Sequence, residues 1–509
     1  MRPNIVIVQA DQMAAQALGA YGDDAAQTPH IDALAEHGAV FDRAYCNTPL
    51  CAPSRASMMT GRLPSDVGCY DNGDDFPASM PTFAHHLRAV GYHTALIGRM
   101  HFIGPDQHHG FEERLTTDVY PADLDMVPEW GRPLDQRLQW YHTVDPVFTA
   151  GPSQATVQQD FDDEVVFHSL RYLTDRVRHN QASGDDAPFL MVTSFIHPHD
   201  PYEPPQEHWD RFSETAIPDP QFPDPADPAQ DPHSHRLRVM SGFDQRSPSL
   251  EEVRRARRAY YATVSYIDDH IGRIRRRIEE LNLADNTVII VTSDHGDMLG
   301  EKGLWYKMSP YERSSRVPLI IDGPDHLVPQ GRFAHPVSLI DLLPTLLELS
   351  EAPGSDTPGI SLLEAARRER DGHTKPQDRD VMIEYLAEGT HAPQLTLIRG
   401  QYKYVVCPGD PDQLFDLEQD PHELHNVASA EEYVNLAQAL RIELESRYGI
   451  EQLTKNVLES QKRRRLVAHA LQQGTRRPWD FIPDAEQRYV RGNFWGALDY
   501  GQIRLPQAD

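Results

Sequence analysis

Four short runs of apolar residues stand out in the hydrophobic pattern and predict strands that are buried on both faces. They are "NIVIV" at 4–8, "TALI" at 94–97, "FLMVTSF" at 189–195 and "TVIIVTS" at 287–293. Continuous β-rich apolar runs of this kind are typical of parallel sheets, in which helices cover both faces. Segments with helical character separate the runs. The pattern therefore predicts an α/β sandwich around a mostly parallel sheet.

The clearest helical pattern extends from about Ser249 to Leu281. Ser249 and Glu252 have the spacing of a capping box at its start. Its apolar residues recur at the spacing of one helix face: Val253, Tyr260, Val264, Ile267, Ile271, Ile274 and Ile278. By contrast, residues 201–248 contain "IPDPQFPDPADPAQDP" and are predicted to form a long, irregular surface excursion.

The pattern changes near residue 375, where short predicted strands follow one another closely. They are "VMIEYL", "LTLIRG", "YKYVV" and "QLFDL", and a predicted helix follows at about 430–446. We therefore expect a large domain over 1–375, a small α+β domain with an antiparallel sheet over 376–449, and a C-terminal helix with an aromatic tail over 450–509. A chain of 509 residues exceeds one ordinary hydrophobic core, which favours such a division.

Charge and cysteine content narrow the classes of partner and compartment. The formal net charge of −29 would repel nucleic acid and anionic membrane surfaces, so neither is expected as a partner. The N-terminal apolar run meets Asp11 too soon for a signal peptide, and no stretch has the length that spans a bilayer. We therefore expect a cytoplasmic protein with reduced thiols. Its four cysteines are Cys46, Cys51, Cys69 and Cys407.

Polar or charged residues follow each of the four long predicted strands. They are Asp11 and Gln12, Arg99 and His101, His197 and His199, and Asp294 and His295. Ligands of open α/β sheets bind in the crevice beyond the carboxyl ends of the strands. A single histidine at such a position is often structural. Because four strand ends carry such residues together, we predict an active site at this edge of the sheet.

Part of this set has the chemistry of a metal site. Asp11, Gln12 and Asp294 would supply oxygen ligands, and His295 is adjacent. Oxygen-rich ligand sets favour calcium or magnesium, whereas zinc prefers more histidine or thiolate. Because imidazole is an unusual calcium ligand, manganese stays an alternative. Either aspartate taken alone is also explained as a cap of the turn that follows it.

The segment "CAPSRASMMTG" at 51–61 carries a further candidate, Cys51. Only three residues separate it from Arg55, which is too few for the loop of a thiol phosphatase. A papain-like site would need a partner histidine, which sequence alone does not place. The segment resembles the type I sulfatase signature, Cys-x-Pro-Ser-Arg followed by Thr-Gly. In that family a separate formylglycine-generating enzyme oxidises the cysteine to formylglycine.

The resemblance implies a chemical role for position 51. A hydrated aldehyde offers one hydroxyl as a nucleophile, and metal coordination lowers its pKa. After sulfate transfer, the second hydroxyl can expel sulfate by reforming the aldehyde. A helix N-terminus at Cys51 would add backbone donors for the anion.

The resemblance extends to the strand ends and implies roles for them. The implied metal ligands are Asp11, Gln12, Asp294, His295 and the formylglycine formed from Cys51. The implied catalytic residues are Cys51, Arg55, Arg99, His101, His199 and Lys307. Of these, His199 with Lys307 would protonate the leaving alcohol, and His101 would accept a proton from the residue at 51. In "GRMHFIG", Arg99 stands where the family usually has lysine, which keeps the charge but replaces a point donor by a planar fork.

Longer stretches, such as "SDHGDMLGEKGLWYKMS" and "DPDQLFDLEQDPHELHNVA", resemble the choline-sulfatase branch of this family. This resemblance implies hydrolysis of choline-O-sulfate, and a homo-oligomer, a dimer or tetramer, through the aromatic tail. Recognition of a quaternary ammonium needs aromatic and acidic groups. His142 and Glu384 match such groups of the branch, and Trp130 lies close to the position of another. Met126 and Gly496 replace others, so another alkyl or aryl sulfate stays open as substrate.

Two other functions remain open at this point. A phosphonate monoester or phosphodiester hydrolase would use the same nucleophile and metal. A non-catalytic protein of the same fold would be expected to have lost residues such as Cys51, Arg55 or Asp294, and all three are present. The basic run Lys462–Arg465 is interpreted as a solvated helix face or a subunit contact, given the acidic charge of the chain.

Overall fold

The computed structural model describes residues 2–133, 136–213, 217–221, 231–373 and 379–483. The strands of these residues are β1 Asn4–Asp11, β2 Ala39–Phe41, β3 Ala44–Tyr45, β4 His93–Gly98, β5 Glu113–Arg114, β6 Phe189–Pro198, β7 Thr287–Ser293, β8 Arg316–Val317, β9 Leu319–Asp322, β10 Gly331–Phe333, β11 Val337–Ser338, β12 Asp380–Tyr385, β13 Gln394–Arg399, β14 Tyr402–Val406 and β15 Gln413–Asp416.

The α-helices of the same residues are α1 Pro29–His37, α2 Cys51–Thr60, α3 Pro64–Val67, α4 Phe83–Ala89, α5 Asp145–Phe148, α6 Val157–Ser183, α7 Gln206–Trp209, α8 Pro232–Ser241, α9 Leu250–Glu280, α10 Glu312–Ser315, α11 Leu342–Leu349, α12 Leu362–Arg370, α13 Val434–Arg447 and α14 Ile450–Leu471. Short 3₁₀ helices lie at Ala15–Ala17, Gly19–Tyr21, Ala284–Asn286, Glu301–Gly303 and Leu339–Asp341.

The central sheet has the strand order β10-β2-β9-β7-β1-β6-β4-β5. The four predicted buried runs are its neighbouring strands β7, β1, β6 and β4, and they pair in parallel. Strand β9 pairs antiparallel with both β2 and β7, so the sheet is mostly parallel. The predicted fold class is confirmed, and the carboxyl ends of the four strands open onto one edge of the sheet.

Strand β1 shows why the hydrophobic runs have no polar alternation. Successive side chains of a strand point to opposite faces of the sheet. Val6 and Val8 pack in one core with residues of α6 and α9, whereas Ile5 and Ile7 pack in a second core with residues of α2, α4 and α11. Since helices cover both faces, both sets of side chains are apolar.

Helix α9 confirms the predicted amphipathic segment. Ser249 Oγ accepts a hydrogen bond from the Glu252 backbone N–H, and the Glu252 carboxylate accepts one from the Ser249 N–H, so the capping box is formed. All seven apolar residues of the predicted face are buried. The helix therefore covers one face of the central sheet with the residues that the spacing indicated.

The prediction of an irregular excursion over 201–248 was wrong in part. Helix α8 occupies ten of its residues, and Leu237 and Met240 pack into the core. Asp231 caps this helix by accepting a hydrogen bond from the Ser234 N–H, and Pro232 is its first residue. Both are recognised helix-start signals, which the proline-rich composition obscured. Residues 214–216 and 222–230 of the segment lie outside the described residues.

The C-terminal part contains the predicted antiparallel sheet, in the order β12-β13-β14-β15. Leu395, Leu397, Tyr404 and Leu414 of this sheet pack against residues of α13 and α14. The sheet is separate from the central one, as the change of pattern near residue 375 predicted. Of the aromatic tail, Trp479 packs near Ile103 and Phe481 contacts His108, whereas residues 484–509, with Gly496, lie outside the described residues.

The four cysteines are buried and none forms a disulfide, as predicted. Among the helices of the described ranges, none combines the length and the apolar composition that crossing a bilayer requires.

Candidate active site

Four of the predicted ligands lie together at the carboxyl edge of the central sheet. Asp11 ends β1, Asp294 and His295 follow β7, and Cys51 begins α2. Each places one ligand atom within 4.8 Å of the others, and all four residues are buried. Parallel pairing of β1 with β7 brings the two aspartates to one edge although the sequence separates them widely.

Cys51 sits inside this cluster. Its Sγ lies 3.2 Å from His295 Nε2 and 3.8 Å from Asp11 Oδ1. Burial and the neighbouring Asp11 carboxylate raise the pKa of the Cys51 thiol to about 12. Without a cation, the unmodified side chain is therefore a protonated thiol at neutral pH and a poor nucleophile.

Helix α2 is fixed by its first residues. Leu50 is extended, Cys51 takes the first helical position, and the N–H of Ala52 donates to Asn72 Oδ1 at 3.0 Å. Ser54 Oγ donates to the main-chain carbonyl of Asp294 at 2.7 Å. The serine of the signature thus ties the helix to the end of β7, which holds Cys51 beside the Asp294 carboxylate.

Arg55 links the two aspartates of the cluster. Its Nη2 donates to Asp11 Oδ2 at 2.7 Å, and its Nε donates to Asp294 Oδ2 at 2.9 Å. Its Nη1 donates to the Arg99 carbonyl and to Ser194 Oγ. The guanidinium is fully buried and all three of its nitrogens are engaged, so Arg55 holds carboxylates in place.

Arg99 is the second buried guanidinium of the cluster. Its Nη1 lies 2.8 Å from Asp11 Oδ2, and the central carbon of its guanidinium, Cζ, lies 4.4 Å from the centre of the Tyr120 ring. Burial alone would raise the pKa of the Asp11 carboxyl, but Arg99 and Arg55 hold it well below its usual range. Asp11 is therefore an ionised oxygen donor at neutral pH.

The cluster fits a divalent cation. Asp11 and Asp294 offer carboxylate oxygens, and His295 Nδ1 lies 3.0 Å from the Gly296 carbonyl, to which it donates. His295 Nε2 is then unprotonated, and it lies 3.7 Å from Asp294 Oδ2 and 3.9 Å from Asp11 Oδ1. Two carboxylates with one imidazole suit calcium, magnesium or manganese better than zinc.

Lys307 and His199 form a hydrogen-bonded pair at the same edge. His199 Nδ1 lies 2.7 Å from the Asp200 carbonyl, which can only accept, so Nδ1 carries the proton. Lys307 Nζ lies 2.6 Å from His199 Nε2 and donates to it. Burial and the Lys307 ammonium lower the pKa of His199 well below its usual range, so the imidazole is neutral.

The side chain of Gln12 contacts this pair, and its backbone N–H donates to Asp294 Oδ1 of the four-residue cluster at 3.1 Å. Its Oε1 accepts from Lys307 Nζ at 2.7 Å, and its Nε2 donates to Asp297 Oδ2 at 2.6 Å. Asp297 also accepts from the Tyr202 hydroxyl and the Tyr306 backbone N–H. Asp297 was not predicted as a site residue, although it lies two residues after His295 in "SDHGD".

His101 lies on the other side of Arg99. Its Nδ1 is 3.2 Å from Arg99 Nη2, its ring stacks on Tyr120 at 5.2 Å, and its backbone N–H donates to Asp118. The buried Nε2 has no hydrogen-bond partner among the described residues. Burial and Arg99 lower the pKa of His101 to about 3, so it is an unprotonated base at neutral pH. Asp118 was also missed, because nothing near it in sequence marks it.

The three predicted substrate-binding residues lie in different surroundings. His142 is at the site, with its ring centre 6.0 Å from that of His199. Trp130 donates its indole N–H to the Ala387 carbonyl at 2.7 Å. Glu384 is not brought to the catalytic cluster by any contact among the described residues. Both of its carboxylate oxygens accept from Ser65, one from the N–H and one from the hydroxyl, at the start of α3.

Glu388 is a second carboxylate near Trp130. It is 2% exposed, and its Oε2 has no hydrogen-bond partner in the described part of the chain. Burial and the nearby Asp71 raise the pKa of Glu388 to about 7, and the Lys307 ammonium opposes that rise. It lies next to Ala387, the hydrogen-bond partner of Trp130.

Comparison with protein families agrees with this geometry. The sulfatase profile matches residues 3–352. A profile described as N-sulphoglucosamine sulphohydrolase, C-terminal, matches residues 300–448, and one described as choline sulfatase enzyme C terminal matches residues 455–500. The sulfatase profile alone covers more than half of the chain and contains all residues of the four-residue cluster.

Individual sequences and a solved structure similar to this chain are sulfatases and a phosphonate monoester hydrolase. The choline-sulfatase of Rhizobium meliloti (strain 1021) is 41% identical over 502 residues, which cover 97% of this chain and 96% of that protein. The arylsulfatase of Clostridium perfringens (strain 13 / Type A) is 29% identical and covers 87% of this chain and 93% of its own. A phosphonate monoester hydrolase from Silicibacter pomeroyi superimposes with a TM-score of 0.68 at 25% identity, over 88% of this chain and 95% of that one.

Proposed function

The chain belongs to the sulfatase family of hydrolases, and from this premise we propose that it hydrolyses sulfate monoesters, with choline-O-sulfate as its preferred substrate. One observation carries the proposal. Cys51, in the segment "CAPSR", begins a buried helix inside a cluster of two carboxylates and an imidazole, with Arg99 and Lys307 beside it. A buried thiol in an oxygen-rich metal cluster suits a modified residue.

We propose that a formylglycine-generating enzyme converts Cys51 to formylglycine, whose hydrate supplies a hydroxyl nucleophile. A divalent cation held by Asp11, Asp294, His295 and the residue at 51 would supply charge neutralisation and acidify that hydroxyl. Calcium is the first candidate, and manganese and magnesium are the alternatives. Gln12 Oε1 already accepts the Lys307 hydrogen bond, so it would join this set through its second lone pair.

Arg99 and Lys307 give the site its affinity for an anion. The chain carries a net charge of −29, which repels the negative sulfate group of a substrate. Local positive charge at the edge of the sheet must therefore outweigh this repulsion. Both cations act electrostatically on position 51, Lys307 more strongly than Arg99. Because Arg99 and Lys307 are buried hydrogen-bond donors that are preorganised near position 51, they would stabilise the charge that develops on the sulfuryl oxygens.

The His199–Lys307 pair is placed to protonate the leaving alcohol. The His199 Nδ1 proton is committed to the Asp200 carbonyl, so transfer occurs through Nε2 or directly from the Lys307 ammonium. A positioned acid is needed most by poor alkoxide leaving groups. His101, a neutral base with a free Nε2, would accept a proton from the residue at 51 when sulfate departs.

A cationic head group would complete the surroundings of Glu388. A buried carboxylate with one oxygen unpaired among the described residues is costly to ionise, and a quaternary ammonium held by aromatic and acidic groups would provide a countercharge. Trp130 is anchored beside Glu388 by its bond to Ala387, and the Tyr385 hydroxyl donates to the Glu388 carbonyl and fixes the turn. We therefore assign the acidic role to Glu388 in place of Glu384, with Trp130 and His142 retained.

The proposal is tested by comparing kcat/KM of the formylglycine-bearing enzyme on choline sulfate, 4-nitrophenyl sulfate and a phosphonate monoester. We expect choline sulfate to give the highest value after correction for leaving-group reactivity. A higher value for the aryl sulfate, which has no cationic head group, would make the protein an arylsulfatase. A higher value for the phosphonate would favour the second candidate function, which the likeness to the Silicibacter pomeroyi enzyme supports.

Three further expectations belong to this proposal. The chain is expected to be a cytoplasmic homo-oligomer, a dimer or tetramer, and to divide at about residues 375 and 449. Helix α14 exposes apolar side chains that a subunit contact would cover: Leu458, Leu466, Val467 and Leu471. Light scattering during size-exclusion chromatography tests the oligomer, and a monomer at working concentration would contradict it.

A further inference from the structure

Arg464 is buried, although the basic run at 462–465 was predicted to form a solvated helix face. Lys462 and Arg463 are exposed, but Arg464 is 2% exposed. It belongs to the buried face of α14 together with Val457, Ser460 and Gln461, which recur at three- and four-residue spacing. The interpretation of the run as a solvated face or subunit contact was therefore wrong for Arg464, whose charge is enclosed by the protein.

Two buried carboxylates neutralise this charge. Arg464 Nη1 and Nη2 donate to the two oxygens of Asp71 at 2.7 and 2.8 Å, and Nε lies 3.1 Å from Asp74 Oδ1. Asp71 is 0% and Asp74 2% exposed. A bidentate guanidinium–carboxylate pair fixes direction as well as distance. Arg464 thereby joins the C-terminal helix to the short segment 70–74.

The same carboxylates shape segment 70–74. Asp71 Oδ1 accepts from the Gly73 N–H at 2.9 Å, and Asp74 Oδ2 accepts from the Tyr70 N–H at 3.1 Å. A Cβ on Gly73 would lie 2.5 Å from the backbone of Met126 and Val127, so the segment is packed directly against main chain. It therefore has little freedom to adopt another conformation while Arg464 is in place.

Asn72 lies in the middle of this segment and reaches the nucleophile-bearing helix. Its Oδ1 accepts the N–H of Ala52, one of the first N–H groups of α2, which have no partner within the helix. Ala52 directly follows Cys51. A continuous path of hydrogen bonds and covalent neighbours thus runs from Arg464 through Asp71 and Asn72 to the backbone beside position 51.

We propose that Arg464 is a positioning residue that holds segment 70–74 so that Asn72 fixes the start of α2 and the nucleophile at position 51. This inference rests on the proposed function, in which position 51 supplies the nucleophile. Without the guanidinium, Asp71 and Asp74 are left as adjacent buried carboxylates with no countercharge, and the segment must rearrange. Displacing a reacting group by about 1 Å can cost about 100-fold in rate.

The test compares Arg464→Met with Arg463→Met, a matched control on the exposed face of the same helix. The formylglycine fraction is measured by mass spectrometry, and kcat and KM for choline sulfate are determined per formylglycine. We expect Arg464→Met to lower kcat by about 10- to 100-fold while KM changes less than about threefold, because the substrate contacts remain. Arg463→Met is expected to stay within about twofold of the unmodified chain.

Two further variants separate positioning from general destabilisation. Asp71→Asn keeps the shape and removes the ion pair, and we expect it to lower kcat in the same way. The double variant that combines Asp71→Asn with Arg464→Met should lose less kcat than the product of the two single losses. The reason is that both substitutions break the same path of contacts. Arg464→Lys is expected to restore kcat only in part, because an ammonium cannot replace the bidentate fork.

Hydrogen exchange of the peptide that contains Ala52 gives a readout independent of turnover. Exchange should accelerate in folded Arg464→Met and Asp71→Asn and stay unchanged in Arg463→Met. Normal kcat per formylglycine together with normal Ala52 protection, in either folded variant, would overturn the inference. If the unsubstituted chain shows no sulfatase activity, the proposed function fails, and the exchange data still decide whether Arg464 holds α2.

Discussion

Two parts of the proposed site differ in how the chain builds them. The first, the catalytic edge, is the carboxyl edge of the central sheet with Asp11, Cys51 and Asp294. The second, the ammonium pocket, consists of Trp130, His142 and Glu388. At the catalytic edge, each charged group is held by several buried partners from neighbouring strands; Arg55 alone contacts Asp11, Asp294 and Ser194. In the proposed pocket, Glu388 lies in a turn after β12 and its Oε2 has no partner among the described residues. In the proposed function, the central sheet therefore holds the reacting groups, and loops with the C-terminal region hold the groups that select the substrate.

This difference indicates where the family can change its substrate. Altering a strand-end residue disturbs a network in which Asp11 pairs with both Arg55 and Arg99, and Asp294 pairs with Arg55. Altering Glu388 or Trp130 disturbs few of the described contacts. We therefore expect substitutions at the edge to abolish turnover of every substrate, and substitutions in the pocket to change only the preference among substrates.

Removal of the metal should have the largest effect at the edge. Chelation is expected to reduce turnover of choline sulfate and 4-nitrophenyl sulfate alike, by about 1,000-fold or more, because charge neutralisation by a metal is worth several kcal/mol. Activity assays after dialysis against a chelator check this, with readdition of calcium, manganese or magnesium. Restoration by one of these ions identifies the metal, and undiminished activity at confirmed metal depletion would contradict the proposed cluster.

Loss of the general acid should separate substrates by leaving group. His199→Ala is expected to lower kcat on choline sulfate by about 100- to 1,000-fold and on 4-nitrophenyl sulfate much less, because the activated phenolate departs without a proton. Steady-state kinetics on both esters check this. His142→Ala removes a proposed substrate contact and is expected to raise KM for choline sulfate instead of lowering kcat, which separates binding from proton transfer. Equal losses on the two esters would remove the proton-transfer role from His199.

In the pocket, Glu388→Gln and Glu384→Gln should behave differently. We expect Glu388→Gln to raise KM for choline sulfate about tenfold and to leave KM for 4-nitrophenyl sulfate unchanged, because only choline sulfate has an ammonium group that loses its countercharge. Glu384→Gln is expected to lower stability by about 1 kcal/mol, since Glu384 caps α3, and to leave both KM values near normal. An increase in KM for choline sulfate with Glu384→Gln alone would restore the role to Glu384.

The smallest expected effect is a pH dependence of KM for choline sulfate. Burial and Asp71 raise the pKa of Glu388 to about 7, so in the free enzyme the carboxylate becomes protonated as pH falls through that value. KM for choline sulfate should therefore increase below about pH 7, and KM for 4-nitrophenyl sulfate should not. The same shift makes Glu388 destabilise the fold as pH rises from its unfolded value of 4.5 to about 7. Identical KM profiles for both esters would contradict the assignment.

The sequence predicted the fold and the edge well because both follow from local patterns. Continuous apolar runs indicate parallel strands, and parallel strands bring Asp11 and Asp294 together whatever lies between them. The residues that were missed act through side chains from distant parts of the chain. Asp297 orients Gln12, Asn72 caps α2, and Arg464 neutralises Asp71, and none of these contacts leaves a periodic signal. The choice between Glu384 and Glu388 depends on the course of a single turn.

The most direct test of the account is to relate sulfate release to the chemical state of position 51. Enzyme preparations with different formylglycine fractions, measured by mass spectrometry of the active-site peptide, are assayed on choline sulfate beside Cys51→Ala. The account predicts that kcat rises in proportion to the formylglycine fraction, reaches zero at zero fraction, and is absent in folded Cys51→Ala. Turnover by the unmodified cysteine or by Cys51→Ala at a comparable rate would contradict it.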